Sequence, residues 1–458
     1  MTIAATPATP LAPTGRSAPL VPGVPVLGSL NELRTDLLGN LTRAFHQYGD
    51  MVRFRVGPPR LGRELTVLFH PEGAHEVFGS HWQEYRKDTR FYQEIRIGIG
   101  DGLLTSQDED WLRQKRYVQP LFTVKRVNSY ADAMAAEAAR MATELRGRDQ
   151  VDLHAEMTRL TLRVVVRVLF GDDADQVLPV VRKEFPIAGD ATRRRAFSPL
   201  QIPWSWPTPL NRRARRAQQA LYGACDEIIA RRRASGTDGD DFLGRLLSAR
   251  DGDEALTDTE VREQVLVFLL AGHETTSTAL TFTLHLLGQH PEIQQRVRDE
   301  IAAVVGDDAP TAAHVRELAY TTMVLKEGMR LYPSAPVTGR RTVTERELVG
   351  YRVPAGIDLV VAPWVIHRHP EFWDDPERFD PERFTPEREK ARHRYAWMPF
   401  GAGPRACIGQ HFSMLESVII LATLIRGYEF RAAVTDIPLD VQITMRPTVP
   451  VLSDLDPA

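Results

Sequence analysis

Ten residues, Phe400 to Gly409, read FGAGPRACIG and enclose Cys407, one of two cysteines in a chain of 458 residues. A thiol set among glycines has three chemical uses: an inert buried side chain, a nucleophile, or a metal ligand. Gly401, Gly403 and Gly409 allow φ > 0 and let the backbone approach something flat and large without Cβ clashes. Backbone amides exposed in such a loop hydrogen-bond a sulfur and favour thiolate over thiol. A thiolate can ligate iron. A nucleophile needs an adjacent base, and the nearest histidine, His411, falls in the following stretch, on a helix expected to start after Gly409. No second cysteine or Cys/His cluster stands at zinc spacing.

The second chemically suggestive run is AGHETT, Ala271 to Thr276. It lies in the longest helix the pattern supports, opening at Thr257 with a capping box to Glu260 and running to about Gln289 before Pro291. Phe268, Gly272, Thr275 and Ala279 share one face. A mid-helix glycine costs about 1 kcal/mol against alanine, and hydroxyls at 275–278 compete for backbone carbonyls. Two readings stand side by side: a groove over which a ligand lies against the backbone, with Glu274 and Thr275 beside it as a proton path, or a kinked helix pressed on a neighbour. Glu327 and Arg330 in KEGMR sit at i and i+3, where the simplest reading is a surface pair of little worth. The tetrapeptide PERF occurs twice, at 376–379 and 381–384.

These residues need a large scaffold, and 43% apolar content supplies its core. A net charge of -3 argues against nucleic-acid binding, and two distant cysteines exclude a disulfide framework, so a reducing compartment is expected. Period-two alternation predicts strands in DMVRFRV and ELTVLF, and LVGYRVPAGIDLVV reads as a hairpin turning at Pro354 to Gly356. Trp111 to Gln289 is helical in pattern. The fold class expected is mainly α with small β-sheets. A flexible tail over 1–21 is followed by a single domain over 22–458. No run approaches the roughly 20 apolar residues of a bilayer span, so no transmembrane anchor is expected.

The sequence resembles the cytochrome P450 superfamily of haem-thiolate monooxygenases. FGAGPRACIG matches that family's haem loop at every fixed position, AGHETT its oxygen-activation motif, and EGMR with the second PERF its Glu-Arg-Arg triad as Glu327, Arg330 and Arg383. HRHPEFWDDPERFDPERF resembles the segment leading to the triad, and the resemblance runs from about Pro22 to the end. It implies the P450 fold, with haem b between the long central helix and the Cys loop, and Cys407 as axial ligand of the iron. Arg405, Arg340 and Trp111 match positions that hold the propionates. Lys115 stands where arginine is usual; it keeps the charge and loses the bidentate fork. Phe400, Gly401, Gly409, Ala271 and Gly272 would line the haem.

The implied reaction inserts one atom of O2 into a hydrophobic small molecule, with Glu274 and Thr275 steadying a proton-delivering water chain. Peroxide-driven relatives tend to lack this pair. The implied pocket draws on Phe91, Tyr92, Ile95, Ile97, Phe268, Ala271, Val337, Thr338 and Thr448, and its apolar character suits a terpenoid, polyketide or fatty acid, as in secondary metabolism. No flavin or iron–sulfur segment follows the haem loop. Electrons from NAD(P)H are therefore expected through a separate ferredoxin and ferredoxin reductase, docking on Lys115, Arg116, Lys125 and Arg126. A monomer in the cytoplasm is expected. The rival functions are a haem-thiolate isomerase or dehydratase and a haem-bound ligand sensor. Arginine runs at 193–195, 212–216 and 231–233 read as solvated helix faces, or, around FSPLQIPWSWPTPL, as a mobile lid with Trp204 and Trp206 as its apolar underside.

Overall fold

The computed structural model describes residues 15–458 apart from 59–61, 197, 199–201, 237–238 and 442. The helices that carry the site are α1 (Arg90–Ile99), α2 (Asp108–Val118), α3 (Leu153–Phe170), α4 (Ala174–Ala196), α5 (Pro209–Ser235), α6 (Asp258–Gln289), α7 (Ala319–Leu331) and α8 (Gln410–Gly427). The mainly helical architecture with small sheets expected from the sequence is the one observed.

The axis is α6. Thr257 Oγ1 accepts the Glu260 N–H at 3.2 Å, and Glu260 Oε2 accepts the Thr257 N–H at 2.8 Å, so the expected capping box forms. The helix stops at His290, ahead of Pro291, because the residue before a proline is pushed out of the helical region. From Thr276 to Leu287 every residue is buried. Although long and apolar enough to cross a membrane, its most apolar window is 78% buried inside the protein, as befits a core helix. It packs along α3, whose first turn is capped by Asp152 accepting the His154 N–H at 3.0 Å.

Near the chain start lie β1 (Arg16–Ser17), β2 (Met51–Val56), β3 (Arg63–Leu68) and β4 (Tyr85–Arg86); β5 (Thr338–Thr342), β6 (Arg346–Leu348), β7 (Tyr351–Val353) and β8 (Asp358–Val361) follow late. The main sheet has the order β2, β3, β8, β5, β4. Alternation along β5 buries Arg340 and exposes Arg341, which aims Arg340 into the molecule. Two expectations are corrected here. The late hairpin joins β6 to β7 and turns at Val349 and Gly350 (φ 44° and 80°), while Pro354 to Gly356 carry the chain into the other sheet, where β8 pairs with β3 and β5. Val-Gly adopts two left-handed residues without the Asn or Asp that normally announces such a turn. Part of the tail expected to be flexible over 1–21 is paired instead: Arg16 and Ser17 pair with β7, and Ala18 accepts the Arg53 Nε–H at 2.9 Å, while residues 1–14 lie outside the described residues.

Glu327 and Arg330 are wholly buried on α7, so the surface-pair reading falls. Arg330 donates Nε–H and Nη2–H to the two carboxylate oxygens at 2.7 and 2.8 Å. Its remaining hydrogens go to the carbonyls of His367 (2.9 Å), Pro376 (2.7 Å) and Arg378 (3.2 Å), and Glu327 accepts the Asp380 N–H at 2.9 Å. Arg383 brings its Nε to 3.4 Å from Glu327. The segment from His367 to Arg383 is thus wound around one buried ion pair.

His367 passes the constraint on: its Nε2 accepts the Met398 N–H at 2.9 Å, immediately ahead of the Cys loop. Burial, with Arg330 and Arg368 nearby, pushes this imidazole down to about 3. The unfolded chain takes up that proton near pH 6.5 while the fold refuses it, so the contribution is complete above pH 6.5 and is lost as pH falls. Thermal melts should therefore show His367→Gln losing less stability than wild type between pH 7 and 5, by about 2 kcal/mol; parallel losses would refute this role.

Candidate active site

The Cys loop is shaped by two left-handed glycines, Gly401 (φ 67°) and Gly403 (φ 68°). At Gly403 a Cβ would lie 1.6 Å from the Phe78 carbonyl oxygen, so this glycine serves a backbone crossing against the turn at 76–80. Gly409 has φ −84° and caps α8, contrary to the expectation of φ > 0; a side chain there would reach the Cys407 sulfur, 3.7 Å from the position of its Cβ. The Cys407 N–H donates to the Phe400 carbonyl at 2.8 Å, closing the loop. Burial pushes the Cys407 thiol up, while the Gly409 N–H and the Lys87 ammonium pull it the other way. Desolvation wins, so the loop amides alone do not make the thiolate, as the sequence had suggested. His411 is no base for this sulfur, because its Nε2 pairs with Asn128 Oδ1 at 2.8 Å.

Cys407 and Phe400 face a cavity of about 340 Å³ whose opposite wall is α6, through Phe268, Ala271, Gly272, Thr275 and Thr276. The Thr275 hydroxyl projects here, donating to the Ala271 carbonyl at 2.7 Å. Ser334 Oγ in turn donates to the Thr275 carbonyl at 2.6 Å. Glu274 is not part of this wall: its Oε2 accepts the Thr444 hydroxyl at 3.1 Å. The two expected partners are sequence neighbours with different surroundings. Gly272 resolves the two readings of the helix. It borders the cavity, but a Cβ on it would meet Val165 Cγ2 of α3 at 2.9 Å, so its missing side chain admits the neighbouring helix.

One end of the cavity is cationic. Arg405 donates to the Ser106 carbonyl at 2.9 Å, with its guanidinium 4.5 Å from the Trp111 ring. Lys115 reaches the Pro404 carbonyl at 3.2 Å and the same ring at 4.9 Å. Arg340 donates to the Gly339 carbonyl at 2.7 Å over Phe78. Lys87, which sequence reasoning missed, joins them, and burial together with Arg340 and Arg405 pushes its ammonium well below the lysine range. Burial also lowers Arg340, and takes Arg405 to about 10. No carboxylate lines the cavity among the described residues. Nothing in YRKDTR marks Lys87; only the two-residue strand β4 before it fixes its direction.

Of the pocket residues expected, Tyr92, Phe268, Ala271 and Thr338 line the cavity. Five do not. Phe91 packs on the Tyr92 ring at 5.7 Å, and Ile95 is buried in the core behind α1. Ile97 is exposed on the outer face of α1, Val337 packs against the cluster around Trp364, and Thr448 is exposed with its hydroxyl on the Pro438 carbonyl at 3.3 Å. On α1, positions 92 and 97 point well apart around a 3.6-residue turn, so one helix cannot present both inward. Leu103, Leu104, Val165, Leu169 and Phe242 complete the apolar wall. They come from the turn at 101–105, from α3 and from the short helix at Phe242, far apart in sequence.

The model of the family described as Cytochrome P450 matches residues 19–452. Among curated proteins, the cyclooctat-9-en-7-ol 5-monooxygenase of Streptomyces melanosporofaciens is 36% identical over 434 residues, covering 92% of this chain and 93% of that one. The pentalenene oxygenase of Streptomyces avermitilis is 33% identical, covering 88% of each. A solved structure, retinoic acid bound cyanobacterial CYP120A1, superposes with a TM-score of 0.85 at 26% identity, covering 97% of this chain and 100% of that one. The thiol loop, the hydroxyl-bearing helix above it and the buried triad behind it thus sit in a chain that belongs to the cytochrome P450 family.

Proposed function

We propose that this monooxygenase places oxygen on a compact, cyclic, largely hydrocarbon terpenoid, using haem b held by Cys407. The observation that carries the reading is the cavity itself, with a thiol on one wall, the Thr275 hydroxyl on the other and cations gathered at one end. The residues fit the cofactor. Lys87, Arg340 and Arg405 repel one another with no carboxylate between them, an arrangement that two propionates would relieve. The Cys407 thiol, raised by burial, becomes a thiolate when a metal ion takes the place of its proton.

Haem so ligated supplies O2 activation and C–H oxygenation with two electrons from partner proteins. The chain does the rest. Gly409 offers its N–H to the ligating sulfur. The Thr275 hydroxyl holds a proton over the cavity, in reserve against the Ala271 carbonyl. The Thr444 hydroxyl donates to Glu274 Oε2 and holds that carboxylate one residue from Thr275, outside the cavity wall. The apolar wall excludes water and fixes the substrate by burial, at about 25 cal/mol per Å².

The substrate class follows from where charge is absent. The cations lining the cavity among the described residues are Lys87, Lys115, Arg340 and Arg405, all at the haem-holding end, so a fatty-acid carboxylate finds no cationic partner along the apolar wall there. Relatives named for cyclooctat-9-en-7-ol and pentalenene support a cyclic skeleton. Electrons come through a ferredoxin and its reductase in this reading. The basic docking face is weaker than the sequence suggested, since Arg116 pairs with Asp251 at 2.7 Å and Arg126 with Asp240 at 3.6 Å. Unpaired Cys225 and Cys407 fit the reducing cytoplasm.

Titrating the ferric protein with cyclic sesquiterpenes and diterpenes, fatty acids and macrolides should give a low- to high-spin shift in the haem spectrum with the terpenes. A shift with fatty acids alone would overturn the substrate class. Lys87→Met should lose haem to apomyoglobin about tenfold faster or more, as for a lost charged hydrogen bond; an unchanged rate would remove Lys87 from the cofactor. Thr275→Ala should keep consuming NAD(P)H while forming less product per equivalent, within the roughly 10²–10⁴-fold range of positioned proton donors. Unaltered coupling would end that role for Thr275.

A further inference from the structure

Two motifs stand outside this chemistry. In the arginine-rich connection between α4 and α5 the apolar underside expected of a lid is corrected, because Trp204 packs on the Arg195 guanidinium at 5.1 Å and Trp206 is 59% exposed. The other motif is HRHP, His367 to Pro370. Its first histidine holds the Met398 N–H. The second, His369, meets a residue 319 positions earlier in the chain: its Nε2 lies 3.2 Å from Asp50 Oδ1.

The ladder between β2 and β3 brings another histidine to the same point. The Phe69 N–H donates to the Asp50 carbonyl at 2.8 Å, which sets His70 beside Asp50. The His70 and His369 rings stand edge to face at 5.2 Å, and Phe372 packs on them at 5.4 and 5.2 Å. Phe45 adds a further apolar wall, 4.9 Å from the His369 ring. One ligand atom from each of Asp50, His70 and His369 lies within 4.8 Å of the others. Glu371 contributes a second carboxylate, its Oε2 3.6 Å from His70 Nε2. The side chains of His369 and His70 are 7% and 13% exposed, those of Asp50 and Glu371 41% and 65%, so the group is walled in at its imidazoles and open to water at its carboxylates. The hydrogen bond from His369 holds the Asp50 carboxyl below the usual carboxylate range against the effect of burial, and His70 adds to it.

We propose that Asp50, His70, His369 and Glu371 hold a zinc ion. Zinc bonds of about 2.0–2.2 Å to four tetrahedral ligands set neighbouring ligand atoms about 3.4 Å apart. The pairs at 3.2 and 3.6 Å already stand near that spacing, and the group of three has to close by roughly 1 Å or a little more. Two imidazoles with two carboxylates suit zinc; magnesium and calcium take oxygen ligands. Each Nδ1 accepts a backbone N–H, His70 from Glu72 at 3.2 Å and His369 from Glu371 at 3.3 Å, which leaves each Nε2 turned toward the carboxylates. Ligation moves the ring proton from Nε2 to Nδ1, so these two long bonds give way to metal bonds. The ion ties the β2–β3 end of the main sheet to the segment wound around Arg330, two residues from the His367 ring that positions the Cys loop. Ligands so far apart in the chain leave no zinc spacing in the sequence.

The test is the zinc content of the holoenzyme after equilibrium dialysis, with the thermal melt as a second readout. One zinc per chain is expected, with the midpoint raised by about 3 °C at a hundredfold excess over the dissociation constant. Magnesium should do neither. His70→Asn and His369→Asn keep an acceptor for the backbone N–H two residues on and remove the ligand, so each should lose both the zinc and the melt shift. His70→Asn leaves the Asp50–His369 bond in place, and its zinc-free melt should match wild type. His393→Asn is the control: that ring also touches Phe372 but pairs with Glu72, and the variant should keep its zinc. A holoenzyme that takes up no zinc would overturn the proposal, as would an equal response to magnesium. So would zinc retained by either the His70 or the His369 variant, which would leave Asp50 and His369 as a plain hydrogen-bonded pair.

Discussion

The Glu327–Arg330 pair is the constraint on which the site depends. Arg330 spends its hydrogens on Glu327 and three backbone carbonyls, which winds His367 to Arg378 around a point with no access to water. Removing either partner strands a buried charge, a loss of about 3–5 kcal/mol, whereas the intact pair contributes little net stability. Its value is positional. From Arg330 the path runs through His367 to the Met398 N–H, through the Met398 carbonyl to the Gly401 N–H, and through the Phe400 carbonyl to the Cys407 N–H. The Cys407 sulfur is thereby referenced to the core, not to a surface loop.

The cationic end of the cavity shows the opposite strategy. Lys87, Arg340 and Arg405 are brought together without a protein carboxylate, and burial lowers the affinity of each for its proton. Such a cluster is unfavourable by itself and becomes favourable only when a ligand supplies the missing negative charge. The triad is satisfied within the chain and fixes geometry; the cavity cations have no carboxylate among the described lining residues. That difference separates charges paired within the chain from charges left for a ligand in the proposed reading.

What the sequence disclosed follows the same division. Features set by short spacing were legible: the capping box at Thr257, the loop around Cys407, the strands at 51–56 and 63–68, and the shared face of Phe268 and Thr275. Features set by long-range packing were not. Glu327 and Arg330 at i and i+3 look alike on a surface and in a core, and only the family resemblance distinguished them. Lys87 gives no local sign because its role arises from Arg340 and Arg405, hundreds of residues away. The pocket assignments failed at Phe91, Ile95, Ile97, Val337 and Thr448 because a matched position fixes an element without fixing which way its side chains turn. The hairpin turn was misplaced because Pro354 to Gly356 looks more like a turn than Val349-Gly350 does.

The long helix shows why Thr275 is the hydroxyl free for chemistry. Ser277 and Thr278 both donate to the Glu274 carbonyl, at 3.0 and 2.9 Å, and lie in the core. Thr276 is buried, donating to the Gly272 carbonyl at 3.1 Å and meeting Ser413 Oγ at 3.1 Å. Thr275 has only the Ala271 carbonyl and an open cavity before it. Leaving that carbonyl costs one weak helix bond of the kind hydroxyls readily exchange, about 1 kcal/mol. The packing of α3 on Gly272 holds the helix in register, so that Thr275 and Thr276 both border the cavity, but Thr276 is tied to Ser413 while the Thr275 hydroxyl has no side-chain partner among the described residues.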